Sequence, residues 1–64
     1  MNIYKVHMIN SDVLRIKTEL GYDEFLKKIF NGGHFIRVVQ EIYDGTLEVA
    51  ICPAHIAYVE QVKE

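Results

Sequence analysis

Two periodicities of apolar residues run along this chain, one of about two residues and one of about 3.6, and they divide it into strands around a single helix. The helical stretch is Leu20 to Gly33, LGYDEFLKKIFNGG. Tyr22, Phe25, Leu26, Ile29 and Phe30 fall at i, i+3, i+4, i+7 and i+8, which predicts one core-facing stripe. Asp23 and Glu24 stand in the first turn and Lys27 and Lys28 in the last, so the charges complement the helix dipole and form two i,i+4 acid-to-base pairs. Asn31, Gly32 and Gly33 are expected to stop the helix.

The remaining chain alternates. Ile3 to Ile9 places Tyr4, Val6 and Met8 on one face, and Val13 to Thr18 does the same with Leu14 and Ile16, the turn formers Asn10, Ser11 and Asp12 joining the two as a hairpin. After the helix, His34 to Tyr43 is β-branched and aromatic on both faces, with Ile36, Val38 and Ile42 on one and Phe35, Val39 and Tyr43 on the other. Asp44-Gly45 reads as a hairpin turn into Thr46 to Cys52, where Leu47, Val49 and Ile51 face inward. Pro53 ends that strand, Pro53 to His55 makes a bend, and Ile56 to Val62 returns as a last strand before the charged end Lys63-Glu64. The expected fold is α+β, in the order ββαβββ: a small curled antiparallel sheet or partly open barrel with one helix, forming a single domain over 1–64.

Composition narrows the function classes. At 64 residues the chain buries only about 60% of its unfolded surface. A single cysteine, Cys52, excludes an internal disulfide framework, and self-association becomes the expected extra source of stability. No run is long and apolar enough to span a bilayer, and MNIYKVHMIN has no long apolar leader core, so the expectation is a cytoplasmic protein with no membrane partner. Seven Lys and Arg against nine Asp and Glu give a net charge of −2, so no global field draws the chain onto a polyanion.

Candidate chemistry is sparse. Cys52-Pro53-Ala54-His55 has a thiol and an imidazole at short spacing, but His7 and His34 lie in distant segments, so no metal or other cofactor is expected and Cys52 is read as a buried, quiet residue. Gly32-Gly33 precedes a strand, whereas phosphate-cradling glycines lead into a helix. Glu41, Asp44 and Glu48 read as a solvated hairpin end, and no arrangement supplies a nucleophile with its base, so the chain is not expected to be an enzyme.

One constellation remains: Arg15 and Lys17 on the second strand with Phe35, Arg37, Val39 and Tyr43 on the third. Phe35, Val39 and Tyr43 can bury against another copy of the chain with the basic residues on the rim, which is the preferred reading. Alternatively, basic and aromatic groups converge as a nucleic-acid surface.

The half of the chain from GGHFIRVV through TLEVAICPAHIAYVEQV resembles the closing strands of small SH3-like or Sm-like barrels, in which a strand ends at a Pro or Asn turn and re-enters as a short HIxxVE-type strand. The helix between the second and third strands departs from the Sm order, so no RNA-binding residue is carried over. In size and style the chain also looks like the small accessory proteins of bacteriophages and bacterial mobile elements. That resemblance implies a protein that works by binding: one that inhibits or sequesters a host protein or a small ligand.

Overall fold

The computed structural model describes residues 1–31 and 33–63; the expected roles of Gly32 in ending the helix and of Glu64 in the charged end lie outside the described residues. The elements run β1 (Asn2–Met8), β2 (Val13–Thr18), α1 (Tyr22–Phe30), β3 (Ile36–Ile42), β4 (Gly45–Ile51), a 3₁₀ turn (Pro53–His55) and β5 (Ile56–Val62). All pairings are antiparallel, in one open sheet of order β4-β3-β2-β1-β5. The α+β expectation of a small antiparallel sheet with one helix holds.

Register follows from the alternation. Tyr4 pairs with Ile16 and Val6 with Leu14 across β1 and β2, and Ile36 pairs with Ile51 and Val38 with Val49 across β3 and β4. These residues share the face that α1 covers. The first hairpin closes through Met8 N to Asp12 O at 2.8 Å and Ser11 N to Met8 O at 3.0 Å, with Ser11 at φ 77°. Asn10 Oδ1 accepts from Asp12 N at 3.1 Å, the short polar side chain stabilising the turn it favours. The second hairpin differs from expectation. Ile42 pairs with Gly45, so Tyr43 and Asp44 are its loop residues and Gly45 already belongs to β4.

Helix α1 starts at Gly21, whose carbonyl accepts from Phe25 N at 2.8 Å, and Gly33 takes φ +93° beyond the Asn31 cap, a conformation few other residues tolerate. Phe25 and Ile29 are the buried residues of its stripe. Tyr4, in the middle strand of the β2-β1-β5 side, stacks on Phe25 with ring centroids 4.3 Å apart and on Tyr22 at 5.8 Å. Its hydroxyl donates to Leu20 O at 2.8 Å, and that carbonyl also accepts from Asn2 Nδ2 at 3.0 Å. Burial pushes the Tyr4 phenol above its ordinary value of 10.0, with the negative charge of Glu24 and then Tyr22 adding to the effect.

The helix is too small for its sheet. Nine residues span about 14 Å, while five strands about 4.8 Å apart and six or seven residues long present a surface about 19 by 23 Å. Two corrections to the expected core follow. Ile42 and Leu47 point to the helix side yet are 41% and 50% exposed, because the β3–β4 hairpin projects past the end of α1. Phe30, at one edge of the stripe, is 53% exposed, and Tyr22, the first residue of α1, is 38% exposed, while Phe25 and Ile29 make the buried contact.

Candidate binding surfaces

The uncovered part of the inner face forms a recess. A cavity of about 350 Å³ opens between the β1–β2 hairpin, which contributes Met8 and Leu14, and the end of β4, which contributes Val49 and Ile51. Phe35, Cys52 and His55 complete its wall, and Asn10 and Asp12 supply polar groups. Ile9 N donates to His55 O at 2.8 Å, tying the 3₁₀ turn to the hairpin and fixing this rim. Leu47 extends the Val49 row along β4, a strand at the edge of the sheet with one side of its backbone unpaired.

This geometry redistributes the aromatic residues assigned to the outer face. Phe35 precedes β3, escapes its alternation and lines the recess on the helix side, 68% exposed. Tyr43 sits in the turn, fully exposed. Val39 does lie on the outer face, opposite Glu48 and half exposed. The three therefore form no common patch. Cys52, expected to be buried, is half-buried and borders the recess.

Arg15, Lys17 and Arg37 do share the outer face, but carboxylates are threaded among them. Glu41 stands 3.6 Å from both Arg15 Nε and Lys17 Nζ, and Glu48 stands 3.7 Å from Arg37 Nε. Such exposed pairs contribute about 0–1 kcal/mol each. Their larger effect is to cancel the positive field that a polyanion would need. The aromatic group present on this face is Tyr58, stacked on His7 at 4.0 Å, while His7 Nε2 donates to Glu60 Oε1 at 2.5 Å. Sequence reasoning missed this trio, although the alternation of β1 and β5 puts His7, Tyr58 and Glu60 on one side.

Among the described residues, no three His, Cys, Asp or Glu side chains gather as a metal site, and no helix is long and apolar enough to cross a membrane. No protein-family model matches the chain, and neither a curated protein nor a solved structure matches it.

Proposed function

We propose that this chain is a small non-enzymatic binding protein that works as a homo-oligomer, with the recess beside α1 and the adjoining β4 edge as its contact surface. The observation that carries the reading is the inner sheet face left open by a short helix: Phe35, 68% exposed, lines an apolar recess, and Leu47 and Ile42 are 50% and 41% exposed on the same face outside it. Large apolar side chains grouped beside an unpaired strand edge favour association, because a second copy removes the apolar area from water and completes the backbone ladder. A symmetric pair needs only one such patch per copy.

The proposal places the chain in the cytoplasm, among the small accessory factors of phages and bacteria that inhibit or sequester a host protein or small ligand. It extends to a curled, partly open barrel of SH3-like kind, supported by the β4-β3-β2-β1-β5 order and by the 3₁₀ turn that links the two edge strands. Nucleic-acid binding through Arg15, Lys17 and Arg37 is the alternative, and the Glu41 and Glu48 contacts weigh against it. A dilution series followed by backbone amide exchange tests the proposal. Amides of β4 should gain protection as concentration rises while those of β1 stay constant. Protection of β4 that is independent of concentration would refute it.

A further inference from the structure

The two edges of the sheet are not equally open. On β5, Tyr22 Oη donates to Val59 O at 3.1 Å, so the first turn of α1 lies against the middle of that edge. Among the described residues, no side chain donates to or accepts from the backbone of β4. Nor does β4 carry a Lys or Pro, the residues that commonly blunt an edge strand.

The hairpin fixes which β4 groups are free, because hydrogen-bonded and non-hydrogen-bonded pairs alternate along an antiparallel ladder. The Tyr43-Asp44 turn closes on Ile42 and Gly45 as a hydrogen-bonded pair, so Leu47 and Val49 bond to β3, while Thr46, Glu48 and Ala50 present N–H and C=O to the open edge. A second copy related by a two-fold axis can add its own β4 there, and three registers centre the axis on the middle of the strand. Centring on Glu48 sets that carboxylate against its own copy, a like-charge pair that destabilises a ladder. Centring on Leu47 sets Glu48 opposite Thr46, whose β3 neighbour is Glu41, and again gathers carboxylates. Centring on Val49 sets Glu48 opposite Ala50, whose β3 neighbour is Arg37. Each Glu48 then faces the other copy's Arg37 across one methyl group, with backbones about 9.6 Å apart at two strand spacings, a gap that two long side chains close. Arg37 already leans toward this edge, its Nε 3.7 Å from Glu48 Oε1 of its own chain, and both side chains are exposed. On the inner face the same register brings half-exposed Leu47 beside the second copy's Ile51, at the end of β4 that walls the recess.

From the open β4 edge and this match of charge and apolar residues, we infer that the second copy docks through its own β4, antiparallel and centred on Val49, joining two five-stranded sheets into one. The inference rests on the homo-oligomer reading above and adds the partner's strand, its direction and its register.

Mixing two charge variants tests it. Arg37→Glu and Glu48→Arg each set like charges across the interface and should weaken self-association about ten-fold in sedimentation equilibrium, the scale of two symmetry-related pairs lost together. An equimolar mixture restores opposite charges between copies only, since each chain keeps its own like pair, and should associate about ten-fold more tightly than either variant alone. Both positions are exposed, so the variants fold. Leu47→Cys, Glu48→Cys and Val49→Cys, each with Cys52→Ser, read the register, because only a residue on the axis faces its own copy. Val49→Cys, in a non-hydrogen-bonded pair with Cα atoms about 4.5 Å apart, should form the disulfide dimer fastest under mild oxidation. Val49 is partly buried, and the mixing experiment stands without it. An unmodified chain that stays at 7.4 kDa would remove the homo-oligomer reading and this pairing with it. An unmodified chain that associates, with no gain on mixing or with fastest cross-linking at Leu47→Cys or Glu48→Cys, would overturn the pairing alone.

Discussion

Replacing Phe25 and Phe30 by alanine, one at a time, separates two residues that the sequence places on the same helical stripe. Phe25 is 2% exposed and stacked on Tyr4 at 4.3 Å, so Phe25→Ala loses the transfer energy of the ring, leaves a cavity and ends the stack. Such changes cost about 3–5 kcal/mol. A domain of this size has a total stability of about 3–10 kcal/mol, at roughly 0.05–0.15 kcal/mol per residue. The variant should therefore lose between about a third and all of the total stability. Phe30 is 53% exposed, and losing about half of a full burial of roughly 1.5–3 kcal/mol costs only about 1 kcal/mol. Urea unfolding followed by far-UV circular dichroism, at one low protein concentration so that association adds little, measures both. Equal losses for the two variants, or a loss under about 1 kcal/mol for Phe25→Ala, would show that α1 is rotated from the placement described here.

Alkaline titration should destabilise the protein from pH 10.0 upward, because the unfolded Tyr4 phenol ionises there while burial keeps the folded one protonated; the effect is present above the ordinary value and absent below it. Tyr4→Phe should remove that component of the alkaline loss at a cost of only about 1 kcal/mol near neutral pH, since Leu20 O retains its Asn2 donor; urea midpoints at several pH values read both effects. Cys52 should label with a thiol reagent at a rate that falls as protein concentration rises, because the recess it borders is covered on association; a rate constant that does not depend on concentration would argue against that. Leu47→Glu should dissociate the assembly with little loss of monomer stability, as the side chain is already half exposed, and light scattering with thermal unfolding separates the two readouts.

Several features were legible in the residues because they depend on local pattern alone. The alternation of Tyr4, Val6 and Ile16 identifies the inner face, and Pro53 to His55 marks the turn before β5. Other features depend on relative size or on where pairing stops. Ile42 and Leu47 satisfy the inward alternation, and only the shortness of α1 against the sheet leaves them open. Phe35 was assigned by extending β3 backward by one step, but outside the ladder the two-residue alternation has no force. The ion pairs of Glu41 require β2 and β3 to be neighbours, which the helix between them in sequence conceals.

Sedimentation equilibrium of the unmodified chain over a wide concentration range tests the central claim most directly. Self-association predicts a mass that rises to a whole multiple of the 7.4 kDa chain and falls back to one chain for Leu47→Glu. A mass of 7.4 kDa that persists to the highest concentration would contradict it.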